Sequence, residues 1–512
     1  MRTSTRRIGK GILFLLPFFI GTVGFYFTLQ DGLLNAMYRA LRLYVTELDC
    51  DYSQVTPLIE LARWTAPLMS AAAILAVLDR AFGVLRNLHK AHREGTVAIH
   101  GDSSFARYFI EQLGARAIEG GSMSWRVKDH VLMFPNDREM LSYLSKNEHD
   151  LFRNDHRVYL CTEHIVRENY QNTNLVVSNF PEICARNYWR SFPIQMSEGD
   201  QSIVIIGFDG YGQQLLTQAL LTNIYGIDIH FQYHIFGDGA EYCGLHTQLG
   251  QIVSINEENP ERDSILFHSE PWFSARETLE KADRVILAMD DDERNLWILN
   301  ELRAFFQAKD IHIRVWDRAL LEGLWSTAVP FGTMDEICTE QCILNQETML
   351  DARRIHCKYF RENVCPDRER CDCENCLDCS SAQRDWNSQT SFTVYSNAAQ
   401  ADHMPVKIHI LLGDDYRNFK HAGERAESVF EGLSNAKQME LAELEHIRWE
   451  RYHFINNWTY APTRDSGRRQ HPLLIEFSAL EAKDQRKDFT PWYNAFSLYR
   501  DEPEHVNTDY SF

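Results

Sequence analysis

Residues 12–29, ILFLLPFFIGTVGFYFTL, form a run of 18 residues without a charge, and Arg2, Arg6, Arg7 and Lys10 stand just before it. As a helix rising 1.5 Å per residue, such a run spans about 27 Å, close to the hydrocarbon thickness of a bilayer. A secretory leader is the rival reading. Leaders have a shorter apolar core and end in small residues, whereas this run ends in Phe25, Tyr26 and Phe27. A second apolar run, residues 64–78, closes on Asp79 and Arg80 and is followed by Arg86, Lys90 and Arg93. Basic residues outside both runs predict two crossings of an inner (plasma) membrane, with both termini cytoplasmic. Between the runs, Leu34, Met37, Tyr38, Leu41, Val45 and Leu48 recur at helical spacing, with Arg39 and Arg42 opposite. That spacing predicts a short amphipathic external helix, either lying at the interface or placed as a pore helix. No Thr-Val-Gly-Tyr-Gly type filter follows it, which argues against potassium selectivity.

The charge balance divides at the same place. The first 95 residues carry 11 Lys/Arg against 7 Asp/Glu, while the rest carry 41 against 65 and the whole chain has a net charge of -20. Phosphate backbones need a basic face, so nucleic acid is excluded as the main partner.

Beyond residue 95 the pattern becomes strand, glycine turn, helix. Residues 96–100 (TVAIH) run into Gly101, Asp102, Ser103, Ser104, Phe105 and Ala106, and Glu119 ends the next expected strand. A dinucleotide turn wants glycine at its first, third and sixth places and an acid about 20 residues on for the ribose. Gly101 and Ala106 fit, but Ser103 stands where bare backbone normally meets pyrophosphate. A second copy begins at residues 202–206 and continues Gly207, Phe208, Asp209, Gly210, Tyr211, Gly212, with Asp238 after the next strand. Here Asp209 takes the middle place, where it would repel pyrophosphate. Each turn reads either as a nucleotide site or as a Rossmann-type unit that has lost its ligand. Further strands at 284–289 and 311–316, alternating with helical stretches, predict an α/β fold with doubly wound parallel sheets.

A two-span segment followed by paired units resembles the KTN/RCK (TrkA-N) regulatory domains of potassium transporters and channels. The stretch DRVILAMDDDERNLWIL is similar to that family's fourth strand and acidic turn, and the likeness covers about 96–350. It implies gating rings shaped by small ligands, and a homotetramer in which two units per chain close the ring. NAD or another nucleotide is the implied cofactor, with Gly101, Ser103, Ala106, Glu119, Gly207, Asp209, Gly210, Gly212 and Asp238 as its contacts.

Cys371, Cys373, Cys376 and Cys379 follow C-x-C-x2-C-x2-C, with Cys365 upstream. In a cytoplasmic segment such thiolates suit a structural Zn²⁺, with Cys365 as spare or alternative ligand. An iron–sulfur cluster and a metal-free reduced loop are the alternatives.

Near the C-terminus, Glu445, His446, Arg448 and Trp449 spell E-H-x-R-W, followed by Trp458 and Tyr460, Arg464 and Asp465, then His471, Pro472, Leu473 and Leu474. Over about 437–500 this resembles the RyR domain, the repeat named after ryanodine receptors, with Asn457 where glycine is usual. Glu445, His446, Arg448, Trp449, Trp458, Tyr460, Arg464 and His471 offer cations and aromatic faces for a nucleotide's phosphates and base. The same residues equally suit a packed core.

The expected organisation is a two-span segment (1–95), two Rossmann-type units (96–200 and 201–355), a Cys-rich insert (356–395), and a linker with a small, mainly helical RyR-like domain (396–512). It resembles a bacterial two-span membrane protein with tandem KTN/RCK domains and a C-terminal RyR domain. The expected function is a ligand-gated membrane effector sensing a nucleotide-type ligand; a membrane-anchored sensor or scaffold without a pore is the alternative. No nucleophile elbow, H-E-x-x-H or P-loop is present, so an enzyme is not expected.

Overall fold

The computed structural model describes residues 2–30, 32–91, 93–120, 127–153, 156–164, 174–196, 200–305, 310–321, 328–365 and 379–500. The chain separates into two compact units, a helical hairpin ending at Thr96 and an α/β body beginning at Val97.

The hairpin comprises α1 (Arg2–Leu29), α2 (Leu33–Arg42) and α3 (Pro57–Ala91). Small residues set its packing: a Cβ on Gly21 would lie 3.2 Å from the Ala40 Cβ and 3.3 Å from that of Ala62. Phe25, Ala36, Ala40, Leu43, Ile59, Ala62 and Ala66 form its buried core. The helix expected between the two apolar runs is α2. α2 turns its alanine face to α1, and Leu34, Tyr38, Leu41 and Val45 are 80%, 62%, 56% and 70% exposed. Arg39 and Arg42 turn to Asp49 at 3.5 and 2.8 Å, and Arg42 also meets Glu47. Among the described residues, Pro57–Leu75 is long and apolar enough to cross a membrane, and Phe14–Leu29 is a shorter apolar stretch. The second apolar run therefore begins earlier than residue 64, because Leu58, Ile59 and Leu61 continue its helix.

The body holds two parallel sheets. In the first unit, β1 (Val97–His100), α4 (Ser104–Leu113), β2 (Ala117–Glu119), β3 (Asp129–Leu132), α5 (Asp137–Leu151), β4 (Arg157–Thr162), β5 (Leu175–Asn179) and α6 (Phe180–Ser191) give the strand order β2-β1-β3-β4-β5. The second unit begins with β6 (Gln201–Ile206), α7 (Gly210–Thr222), β7 (Phe231–Phe236), α8 (Ala240–Leu245), β8 (Ser254–Ile255), β9 (Ser264–His268) and α9 (Arg276–Lys281). It continues with β10 (Arg284–Leu287), α10 (Asp292–Phe305), β11 (Asp310–Arg314) and β12 (Val329–Phe331), in the order β12-β11-β10-β6-β7-β9-β8. That is the doubly wound arrangement, with its switch point between β6 and β10. Helices α6 and α7 pack together, and the Trp189 indole N–H donates to the Leu215 carbonyl at 2.9 Å. One apolar core runs through both sheets.

Short helices α11 (Met334–Ile337) and α12 (Glu340–Ile343) lead to α13 (Leu350–Asn363), α14 (Ser380–Ser388), α15 (Ser391–Asp402) and α16 (Met404–Leu412). The C-terminal region follows with α17 (Ala422–Gly432), α18 (Asn435–Ile455), the paired two-residue strands β13 (Thr459–Tyr460) and β14 (Gln470–His471), α19 (Ala482–Gln485) and α20 (Thr490–Leu498). Two buried ion pairs fasten these helices to the sheets. Arg186 of α6 meets Asp402 of α15 at 2.7 Å, and Arg451 of α18 meets Asp263 at 2.7 Å.

Candidate nucleotide pocket in the second Rossmann unit

The glycine turns come first, because they start both sheets. Gly101 has φ +114°, and a Cβ there would lie 2.1 Å from the Met133 carbonyl oxygen. Gly207 has φ +97°, and a Cβ on Gly212 would lie 2.1 Å from the Gly207 oxygen. Left-handed backbone and close approach both require glycine there. Folding alone therefore accounts for these residues.

The middle positions of the turns behave differently. Ser103 is buried; its hydroxyl accepts from the Ala106 N–H at 3.1 Å and donates to the Met133 carbonyl at 2.8 Å. It caps α4 in place of an anion. Ala106 is fully buried, and Glu119 is exposed at the end of β2. Beside it, a Cβ on Gly120 would collide with the His100 ring. His100 Nδ1 meets the Tyr143 hydroxyl at 2.7 Å, and its Nε2 meets His130 Nδ1 at 3.0 Å. Burial pushes the His100 imidazole down to about 4. Burial and the neighbouring His100 push His130 to about 3. Both rings stay neutral at pH 7.

In the second unit, Asp209 is the N-cap residue of α7 but makes no side-chain cap bond. The Tyr211 backbone N–H lies near the Asp290 carboxyl and favours its charged form. Burial, then repulsion from Asp209, raises the Asp290 carboxyl above its usual range. The bare face of Gly210 looks onto Glu163 and Pro181 of the first unit, at 3.8 and 3.7 Å.

A cavity of about 670 Å³ opens beside this turn, over the ends of β6, β7 and β9. That size is in the range of small-molecule sites. Gly207 and Asp238 line it together with Phe267, His268, Glu270, Trp272 and Arg294. One oxygen of Asp238 accepts from the Ala240 N–H at 2.9 Å, leaving the other oxygen available. The His268 ring stacks on Phe236, centroids 4.5 Å apart, and bonds Glu270 at 3.1 Å and His234 at 3.0 Å. The Arg294 guanidinium lies 4.7 Å over the Trp297 ring. Sequence reasoning located Gly207 and Asp238 but missed His268, Glu270, Trp272 and Arg294. Only Arg294, inside the acidic D-D-D-E-R turn, carried a local signal.

The RyR-like residues divide by burial. Glu445 and Arg448 are 1% and 2% exposed and pair at 2.8 Å, while Lys407 of α16 reaches Glu445 at 2.7 Å. Burial would raise the Glu445 carboxyl, but Arg448 and Lys407 outweigh it and hold it below the usual range. Burial lowers the Lys407 ammonium to about 8. Its sequence signal was a lone lysine in the apolar run MPVKIHILL. His446 meets Asp488 at 3.3 Å. Trp458 and His471 are buried among Phe392, His453 and Trp449, with Trp449 and His471 centroids 5.0 Å apart. Trp449 is half-buried, and Tyr460 and Arg464 are exposed. Asn457, in the place where glycine is usual, has φ +60°. Its side chain accepts from the Thr247 hydroxyl at 3.0 Å and donates to the Leu245 carbonyl at 2.7 Å, both in the second unit.

Cys365 and Cys379 are half-buried and pack against the cluster of Cys357, Phe360 and Ala382. Cys371, Cys373 and Cys376 lie outside the described residues. Among the described residues, no group of three or more His, Cys, Asp or Glu is placed to hold a metal ion.

The RyR domain family matches residues 431–498. No curated protein gave a match. The crystal structure of a GsuK mutant aligns over 64% of this chain and 94% of its own, at 10% identity and a TM-score of 0.30. A likeness that loose does not define the fold.

Proposed function

We propose that this chain is a membrane-attached effector whose cytoplasmic α/β body senses a nucleotide-type ligand and passes its binding to the helical hairpin. The observation that carries the reading is the cavity at the strand ends of the second unit. It combines an acid placed for a ribose, Asp238, with the aromatic walls Phe267 and Trp272 and a guanidinium, Arg294. The KTN/RCK resemblance adds an expected assembly: four chains, each giving two units to a ring beneath a two-pass membrane segment. The RyR-like region is bolted to the sheets through Arg451 and Asn457, so a shift in the second unit reaches α18 directly. A structural zinc held by Cys371, Cys373, Cys376 and Cys379, with Cys365 as spare or alternative ligand, would brace the segment that joins α13 to α14. Metal analysis of the purified protein tests it, and less than one zinc per four chains rejects it.

The test of function is ion flux through liposomes holding the full-length chain, with nucleoside monophosphates and NAD added in turn. Nucleotide-dependent flux that Asp238→Ala abolishes is the expected result. Flux indifferent to every nucleotide overturns the effector reading. Binding without any flux selects the membrane-anchored sensor, a reading favoured by Pro57–Leu75 being the one clear spanning candidate among the described residues.

A further inference from the structure

The proposed pocket covers only half of what a dinucleotide needs. In a doubly wound sheet the bridging pyrophosphate sits on the N-terminus of the first helix, and the two nucleosides lie on either side of the switch point. Here an acid already stands at the N-terminus of α7: the Tyr211 N–H favours the charged form of the Asp290 carboxyl. The acids Asp209 and Glu163 crowd the same spot. Asp290 feels the charge of Asp209, and Glu163 feels that of Asp290, while burial raises both Asp290 and Glu163. The nearby guanidinium, Arg314, is buried and donates to Asp292 at 3.0 Å and to the Met289 carbonyl at 2.9 Å, while its Nη1 has no hydrogen-bond partner among the described residues.

The far side of the switch point is filled. Arg314 is fully buried, 4.2 Å over the Trp316 ring and 4.8 Å over that of Tyr211. Phe105 of the first unit closes on Trp316 edge-on, centroids 4.7 Å apart. Pro181 and Glu163 of the first unit cover the bare face of Gly210, where a pyrophosphate would approach. On the near side the cavity over β6, β7 and β9 stays open.

We infer that this pocket takes a single nucleoside unit, a base and ribose with at most one phosphate, and turns dinucleotides away. The inference rests on the nucleotide reading above and narrows its ligand class. Asp238 receives the ribose hydroxyls, Phe267 and Trp272 flank the base, and Arg294 receives the one phosphate. The first Rossmann unit sets the limit by packing against the second where the other nucleoside would lie.

Calorimetric titration of the detergent-solubilised full-length chain with AMP, GMP, CMP, UMP and NAD separates the two claims. The expected result is binding of at least one monophosphate, lost in Asp238→Ala, with NAD at least tenfold weaker. In Asp209→Gly/Asp290→Asn, which removes two of the crowding acids, NAD should gain at least threefold on that monophosphate. NAD binding as tightly as the best monophosphate, and lost in Asp238→Ala, overturns the single-nucleoside inference and leaves the nucleotide reading standing. Absence of binding by all five probes overturns both. Monophosphate binding untouched by both Asp238→Ala and Trp272→Ala places the ligand elsewhere and also overturns the inference.

Discussion

The two Rossmann-type units start alike and finish differently. Each opens on a buried strand, a left-handed glycine and a helix, and each has a protein oxygen at its helix N-terminus. In the first unit that oxygen belongs to Ser103. In the second it belongs to Asp290. The divergence begins one strand later. The second unit extends its sheet through β7, β9 and β8, and the ends of β7 and β9 wall a cavity. Among the described residues, the first unit's sheet ends at β2, and a histidine–tyrosine cluster lies beside Gly120. A glycine turn is thus a requirement for starting the sheet, while a ligand site depends on what stands beyond it.

The largest expected effect tests the shared half of the comparison. Gly101→Ala and Gly212→Ala each place a methyl about 2 Å from a backbone carbonyl, so each should destabilise the body by at least ~3 kcal/mol. Gly210→Ala, with nothing closer than 3.7 Å, should cost below ~1 kcal/mol. Thermal melts of the three variants measure this. Equal losses at all three positions would mean that the turns are not built as described.

Next comes the difference in ligand binding. Asp238→Asn should weaken the best monophosphate by about tenfold or more, the loss of a charge-assisted hydrogen bond. Glu119→Gln, its counterpart in the first unit, should change nothing. Isothermal titration reads both, and an equal loss from Glu119→Gln would give the first unit a site of its own.

The buried histidines beside β1 and the acids around the α7 turn should also titrate in opposite senses. His100 and His130 fold with pKa values below the ordinary value near 6.5. Their stabilising contribution is therefore present above that value and lost as pH falls, by about 2 kcal/mol per ring between pH 7 and 5. Asp290 and Glu163 fold with raised pKa values. Their protonated forms favour the fold at low pH, and that contribution is lost as pH rises through their folded values. Melting curves from pH 5 to 8 should show less acid sensitivity in His130→Phe than in wild type. They should show relief of the destabilisation at high pH in Asp290→Asn. A steeper acid loss in His130→Phe would contradict the buried neutral pair.

The smallest effect is the cap. Ser103→Ala should cost ~1 kcal/mol, and Ser103→Gly less, without altering nucleotide binding. A gain of NAD binding in Ser103→Gly would mean that the serine alone had closed the first turn.

Much of this was readable before folding. The strands that open each sheet, with β10 and β11, were placed within about two residues, because a buried parallel strand is a short apolar run bounded by turn residues. The first strand begins at Val97, one residue later than expected, and β11 spans Asp310–Arg314, ending before Val315 and Trp316. The E-H-x-R-W and W-x-Y spacing located the RyR region, whose family match covers 431–498. The helix between the two apolar runs was legible as an amphipathic helix; which of its faces packs on α1 was not. The preference of Leu34, Tyr38 and Leu41 for apolar surroundings is met equally by protein or by lipid, and the small face of Ala36 and Ala40 fits Gly21 more closely.

By itself the sequence determined the order of parts: an apolar basic start, two glycine-turn sheets, a cysteine-dense stretch and a RyR-like end. Each of these is a local property, written in runs of neighbouring residues. Tertiary structure decided which polar groups meet. It set Lys407 against Glu445 from a helix about 40 residues away and put Asp290 near the Tyr211 amide. It also laid Pro181 of one unit over Gly210 of the other. Burial makes such contacts decisive, because a charge or amide removed from water must find its partner wherever the fold brings one. That is why the candidate ligand residues were partly legible in the chain, and why the cavity that selects among them was not.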